Sequence, residues 1–239
     1  MTLQDKTNNQ EDINTLIRKF VNSSERKRKT LFNEIESASY QIYLLGDNLF
    51  NDFDPKDDDW ALGWILQVLK KNQPKFFDND SYNNFFFTTS NSAINYDNLQ
   101  LNLLEQNFEE ADRLTSVYLR KLAGKLAEKR GYVFYSEVNK MSDIDLISMD
   151  RLWNIYSQGK FGFSIQAKLL KAVGKKYDDL WEKIGWKKND LWTRYPSSFC
   201  WSLDAPDGHM PLVNQLRGVR LMDSILRHPA IASRHGNCL

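Results

Sequence analysis

The amino-acid sequence predicts an all-α fold, built as an N-terminal helical bundle followed by a globular, all-helical domain. Apolar residues recur at the helical period through most of the 239-residue chain. No segment alternates apolar and polar residues over a useful length, apart from a possible extended piece at 132–135. Hydrophobic residues make up 41% of the chain, which allows each of two domains to bury a core.

The first domain is expected to span residues 1–95. Helical spacing of apolar residues predicts its helices around 13–20, 31–42 and 60–71. The acidic sequence FNDFDPKDDDW at 50–60 could supply oxygen ligands to a hard cation, but it lacks the Gly and the terminal Glu of an EF-hand loop. We therefore interpret this segment as a solvated connection between helices.

A segment rich in Asn and Asp follows the third helix and spans residues 71–98. It contains five phenylalanines, which a free linker would not tolerate in water. We expect this segment to pack between the two domains, and we place the domain boundary near residue 95.

The second domain is expected to span residues 96–239. Ser142 and Asp145 resemble a capping box at the start of a helix, and Pro211 suits the first turn of the closing helix. The apolar pattern predicts helices at 99–104, 111–122, 146–156, 165–173, 177–184 and 212–226.

A loop rich in aromatic residues precedes the closing helix. It contains Trp186, Trp192, Tyr195, Phe199 and Trp201 between Pro and Gly residues. These rings could simply hold the loop on the helical core, or they could form a surface for a flat ligand, since exposed rings in a loop favour binding. Two cations share a face of the closing helix just beyond, and they could be solvated or could meet carboxylates of that ligand: Arg217 and Arg220.

Composition and motifs exclude several classes of protein. The formal net charge is +1 and no dense basic stripe appears, so we expect no nucleic-acid partner. No apolar run is long enough to span a membrane, and Cys200 and Cys238 give neither a disulfide framework nor the spacing of metal ligands. Asp207 and His209 could form a catalytic dyad, but an Asp so close to Gly208 more often binds the backbone of its own turn.

Several separated motifs resemble one known family. They are YSEVNKMSDIDLISMDRLWNIYSQGKFGFSIQ, then KIGW, then RYPSSFCWSLDAPDGHMPLVNQLRG and a closing helix. Together with NLLEQNFEEADRLTSVYLRKLAG, they are similar to the tetrapyrrole-binding domain of the genomes-uncoupled-four family over about residues 95–232. The preceding region resembles the N-terminal bundle of the family's cyanobacterial members.

The resemblance implies a monomeric, non-enzymatic protein that binds protoporphyrin IX and magnesium protoporphyrin IX. It implies stimulation of magnesium chelatase through that enzyme's large, porphyrin-handling subunit, and a domain shaped like a cupped hand, with no prosthetic group and no metal ligand of its own. Carried over by motif, Phe199 and Trp201 would close on the macrocycle, and Arg217 and Arg220 would meet its propionates. Asn214 is a weaker candidate, and Trp192 is a further ring of the same loop.

Two other functions remain open from the residues. The chain could be a protein-interaction adaptor whose aromatic groove receives a partner helix, or it could act catalytically at Asp207 and His209. The first residues, MTLQDKTNNQED, resemble neither a secretion signal nor a transit peptide. With the resemblance, they favour a cyanobacterial cytoplasm or a plastid stroma.

Overall fold

The computed structural model confirms the all-α prediction, with a single two-stranded sheet among the residues it describes, which are 3–78, 86, 88–213 and 219–235. The chain divides into two compact units, residues 1–87 and 88–239. None of the helices in the described part of the chain is long and apolar enough to cross a membrane.

The first unit is a set of helices joined by short connections. Its elements are α1 (Leu3–Val21), α2 (Glu25–Thr30), α3 (Phe32–Ser37), α4 (Ser39–Tyr43), a 3-10 helix (Gly46–Asp52), α5 (Trp60–Asn72) and a 3-10 helix (Pro74–Asp78).

Aromatic rings and one buried cation hold this unit together. Phe32 stacks on Trp64 with ring centroids 4.0 Å apart. The Arg28 guanidinium pairs with the Asp59 carboxylate and lies 4.8 Å from the centroid of the Trp60 ring. Asp59 also caps α5 by accepting the Ala61 N–H over 2.8 Å. The last aspartate of the acidic segment therefore has a structural role.

The second unit contains the remaining elements. They are α6 (Asp97–Leu104), α7 (Phe108–Ala123), α8 (Lys125–Arg130), a 3-10 helix (Tyr135–Lys140), α9 (Asp143–Tyr156), α10 (Phe163–Ala172), α11 (Tyr177–Lys183), β1 (Lys187–Lys188), β2 (Leu191–Trp192), α12 (Arg220–Leu226), α13 (Pro229–Ala232) and a 3-10 helix (Ser233–His235).

Helix α9 lies at the centre of this unit. Its Trp153 is fully buried, donates from Nε1 to the Thr115 hydroxyl over 2.9 Å, and stacks against Phe108. Ser142 caps the helix as predicted, by accepting the Asp145 N–H. The Asp145 carboxylate instead accepts the Tyr96 hydroxyl over 2.8 Å, so it joins α9 to the chain before α6.

The same carboxylate explains why the compact units divide before the boundary predicted near residue 95. Asp145 accepts the Asn91 N–H over 3.1 Å and the Ser92 hydroxyl over 3.0 Å. The Ser148 hydroxyl donates to the Thr89 carbonyl oxygen over 2.8 Å. Residues 88–95 therefore pack with the second unit.

Two local predictions differ from the structure, and one element was not predicted. Residues 132–135 form no strand, because Tyr135 begins a 3-10 helix whose first turn is capped by Glu137, which accepts the Phe134 N–H over 2.7 Å. Pro211 lies in a bend, and α12 is described only from Arg220. The hairpin β1–β2 was not predicted; Lys187 pairs with Trp192 across a turn of two residues with positive φ.

Candidate functional site

The loop that follows the hairpin holds three aromatic rings in mutual contact. Phe199 and Trp201 stack with centroids 5.4 Å apart and planes inclined by 28°. The Tyr195 ring meets both edge-on, at 5.5 Å from Phe199 and 5.9 Å from Trp201. Phe199 is buried, Trp201 is partly exposed and Tyr195 is exposed. Tyr195 and Trp201 therefore lie at the surface and pack on the buried ring of Phe199.

His209 is the support beneath this cluster. Its ring lies 4.7 Å from that of Phe199 and is only 2% exposed. The Cys200 N–H donates to Nε2 over 3.3 Å, while Nδ1 lies 2.6 Å from the Ile184 carbonyl oxygen. Because Nε2 accepts, Nδ1 carries the proton and donates it to Ile184. Burial lowers the pKa of His209, which keeps this ring neutral.

These contacts argue against the catalytic dyad. Both nitrogens of His209 already bind the backbone, and the Asp207 carboxylate lies 3.9 Å from the Lys160 ammonium rather than on the imidazole. The described residues contain no group of His, Cys, Asp and Glu side chains that could hold a metal ion. Asp207 and His209 therefore do not form a dyad in this structure.

The loop returns to the core along α10. The Gly208 N–H donates to the Lys160 carbonyl oxygen over 2.7 Å. The Gln166 amide donates to the carbonyl oxygens of Gly208 and Pro211, over 3.0 and 2.8 Å. Gly208 has φ +76°, and a Cβ there would lie 2.7 Å from Leu169 Cδ1. Only glycine fits this approach, so the returning segment is held firmly.

The three tryptophans near the loop have different environments. Trp186 is 1% exposed, stacks on Trp181 at 5.5 Å and donates to the His209 carbonyl oxygen over 2.7 Å. Trp192 lies 5.8 Å from Trp181 but is 53% exposed. Trp201 donates from Nε1 to the Pro196 carbonyl oxygen over 3.1 Å, and this bond fixes the orientation of the indole ring. Trp186 is therefore a core residue, whereas Trp192 and Trp201 are accessible.

Arg220 lies at the start of α12, with an exposed side chain. Its guanidinium is 5.5 Å from the centroid of the Tyr135 ring, and α12 packs on the 3-10 helix that Tyr135 begins. The attraction between a guanidinium and a ring face gives the arginine a defined direction. The other two candidates beyond the loop, Asn214 and Arg217, lie outside the described residues.

Two exposed aromatic residues that the sequence analysis did not select lie against arginines, one of them Arg220. Phe134 and Tyr135 are both exposed. The Arg130 guanidinium lies 4.1 Å from the Phe134 centroid, whereas Tyr135 is the ring near Arg220. Arg130 also donates to the Glu137 carboxylate over 2.6 Å. The run of aromatic residues at 132–135 could have pointed to these rings, but the sequence pattern predicted an extended segment there. Phe134 and Tyr135 are therefore exposed rings that each contact an arginine.

A family model described as GUN4-like matches residues 89–229. The chain is 42% identical over 180 residues to the "Ycf53-like protein" of Synechocystis sp. (strain ATCC 27184 / PCC 6803 / Kazusa), covering 74% of this chain and 77% of that protein. It is 39% identical over 155 residues to the "Tetrapyrrole-binding protein, chloroplastic" of Arabidopsis thaliana, covering 61% of this chain and 58% of that protein.

Two solved structures share the fold. GUN4 from Chlamydomonas reinhardtii is 36% identical, with a TM-score of 0.58, over 61% of this chain and 93% of that one. The ligand-free structure of Arabidopsis thaliana GUN4 is 41% identical, with a TM-score of 0.55, over 59% of this chain and 100% of that one. The matched range confirms the family resemblance predicted from the motifs.

Proposed function

Because this chain belongs to the GUN4-like family, we propose that its second unit binds a tetrapyrrole against the aromatic loop. The observation that carries the proposal is the stacked pair of Phe199 and Trp201, supported from below by His209 and partly open to solvent. A relative in Arabidopsis thaliana is named a tetrapyrrole-binding protein. Flat rings offered at a surface suit the face of a planar macrocycle.

The ligands are protoporphyrin IX and magnesium protoporphyrin IX, which combine a wide apolar face with carboxylates. Burying roughly 400 Å² of that face contributes about 10 kcal/mol before ordering costs, at about 25 cal/mol per Å². An exposed arginine facing a propionate adds only about 0.2–1 kcal/mol. The aromatic rings therefore supply most of the affinity, with Trp201 partly exposed at the loop surface, Phe199 stacked beneath it, and Trp192 as an accessory ring at the hairpin.

The cations orient the ligand. Arg220 is exposed and held near Tyr135, so it can present its guanidinium to a carboxylate. Arg217 and Asn214 complete this group in the proposal. Their combined effect is a preference for dicarboxylate porphyrins over neutral ones.

The protein acts without catalysis of its own and stimulates magnesium chelatase through the enzyme's large, porphyrin-handling subunit. The two backbone bonds of His209 support a non-catalytic role, because they leave this imidazole no lone pair for a substrate. We propose that the chain acts as a monomer, in a cyanobacterial cytoplasm or a plastid stroma. Its domains on this proposal are an N-terminal bundle and a tetrapyrrole-binding domain.

Titration with a soluble porphyrin, followed by tryptophan fluorescence, tests the proposal. Saturable quenching at micromolar ligand is expected, and the same titration of N-acetyltryptophanamide serves as the control for absorption by the ligand. Quenching that does not saturate would refute porphyrin binding.

One observation favours a second function, that of an adaptor for a partner helix. Leu191 and Trp192 at the hairpin are 74% and 53% exposed, and exposed apolar side chains suit contact with a partner helix. The adaptor predicts that the chelatase subunit binds equally well with and without porphyrin. A binding assay in both conditions separates the two functions.

A further inference from the structure

A buried carboxylate receives donors from two points of the aromatic loop region. Asp112 lies on α7 and is 2% exposed. Its Oδ2 accepts the Tyr195 hydroxyl over 3.1 Å, and its Oδ1 accepts the Leu212 N–H over 2.6 Å. The loop between these two residues is therefore tied at both ends to one side chain.

The tie at Tyr195 controls the rings proposed to meet the ligand. Tyr195 contacts Phe199 and Trp201 edge-on, so a shift of its ring must displace the stacked pair. Trp201 is also bonded to the Pro196 carbonyl oxygen, directly after Tyr195 in the chain. The position of the Tyr195 hydroxyl thus sets the position of the aromatic face.

We infer that Asp112 is a positioning residue of the ligand site: its carboxylate holds Tyr195 and, through that ring, places Phe199 and Trp201 against the bound ligand. The ligand part of this inference rests on the proposed function. The holding of the loop itself stands on the ligand-free geometry.

The charge state of Asp112 decides how firmly it holds. Burial raises the pKa of this carboxyl to about 7, while the bonds from Leu212 and Tyr195 lower it and Glu109 on the same helix raises it. Among the described residues, Glu109 and Tyr195 are the ionisable groups that act on it; the neighbouring Arg113 guanidinium is bound to Glu110 over 2.6 Å. The hydrogen bond from Tyr195 lowers the pKa of Asp112 because it stabilises the ionised carboxylate. By thermodynamic linkage, ionisation of Asp112 must therefore strengthen the hydrogen bond. The loop is therefore held more firmly as the pH rises through about 7.

Hydrogen exchange of the full-length, ligand-free protein tests the tie without any porphyrin. Tyr195→Phe removes only the hydroxyl, and Asp112→Asn keeps an acceptor for Leu212 but removes the charge. Tyr177→Phe is the matched control, since its hydroxyl donates to Asp223 over 2.8 Å, outside the loop, in the same unit. Protection factors of the peptide 194–203 are measured between pH 6 and 8, with intrinsic rates corrected.

We expect protection of this peptide to increase with pH in the native protein. Tyr195→Phe should lower it about tenfold, as for loss of a bond to a charged group, and Asp112→Asn should abolish the pH trend. Tyr177→Phe should leave both unchanged. Unchanged protection in Tyr195→Phe, or protection that falls with rising pH in the native protein, would overturn the inference. If Asp112→Asn does not fold, Tyr195→Phe alone tests whether the hydrogen bond holds the loop.

Porphyrin titration of the same variants then tests the positioning of the ligand rings. Tyr195→Phe should weaken binding about tenfold, with the Tyr177→Phe control unchanged. Full affinity in a variant whose loop has lost protection overturns the positioning role. A native protein that binds no porphyrin is a failure of the proposed function, and the exchange data alone then decide whether Asp112 holds the loop.

Discussion

Cys200 donates its backbone N–H to Nε2 of His209, so the middle of the aromatic loop is bonded to a buried, neutral imidazole. The other ring nitrogen of His209 is bonded to Ile184 at the end of α11. One side chain therefore connects the loop to the helix before the hairpin. This geometry makes His209 a structural support. The pH dependence of the stability of the protein tests that role.

Replacement of His209 by Gln is expected to lower the free energy of unfolding by about 1–3 kcal/mol at neutral pH, because buried backbone groups lose their partners. Burial lowers the pKa of His209 in the folded state below its unfolded value of about 6.5. The contribution of His209 to the free energy of unfolding is therefore complete above that pH and is lost as the pH falls. The difference between the native protein and the variant should shrink below that pH. Urea unfolding at several pH values measures it, and a difference independent of pH would contradict this role.

Replacement of Trp201 by Ala is expected to weaken porphyrin binding about ten- to a hundredfold, the loss that follows from about 2 kcal/mol of buried ring surface. Trp192→Ala should weaken it less than about threefold, because this ring lies on the hairpin and outside the stacked cluster. Fluorescence titration of both variants compares them. Equal losses would show that the loop rings do not form the ligand face as proposed.

Replacement of Arg220 by Gln is expected to reduce affinity for a dicarboxylate porphyrin up to about fivefold, the effect of a solvent-exposed ion pair. The loss should fade at high salt and should be absent for a porphyrin whose propionates are esterified. Arg227→Gln is the control at the C-cap of the same helix, since Arg227 is bound to Asp223 over 2.8 Å. An equal loss for the ester would remove Arg220 as the carboxylate partner.

Replacement of Gly208 by Ala is expected to destabilise the protein by about 2–4 kcal/mol, because strain at positive φ adds to overpacking against Leu169. Gly174→Ala has a similar φ of +67° with nothing within 4 Å of the added Cβ. It should cost only about 1 kcal/mol. Urea unfolding of the pair separates steric contact from backbone strain, and equal costs would show that Leu169 yields freely.

The domain boundary can be tested with two fragments, residues 88–239 and residues 96–239. The longer one keeps the bonds from Asn91 and Ser92 to Asp145 and should be more stable to urea by about 1–3 kcal/mol. We expect it to keep the porphyrin affinity of the whole chain. Chelatase assays at limiting porphyrin, with the whole chain and with this fragment, then measure what the N-terminal bundle contributes. Equal stability of the two fragments would favour the boundary at 95.

The local pattern of the sequence was enough for the all-α fold, the Ser142 cap and the family. Helical periodicity and capping depend on residues a few positions apart, so they can be recognised from the sequence alone. The aromatic loop was also recognisable, as a density of rings among Pro and Gly residues. The hairpin was missed because each strand has only two residues, too few for a visible alternation.

Only the tertiary structure decided what the loop residues do. Asp112 and Leu212 are 100 positions apart in the chain, and Asp112 and Tyr195 are 83 apart; no local pattern could join them. His209 looked like half of a dyad with Asp207, and packing turned its two nitrogens toward Ile184 and Cys200 instead. Buried polar groups must find partners wherever the chain brings them, so three-dimensional packing decided which side chains of the loop are buried supports and which stay exposed.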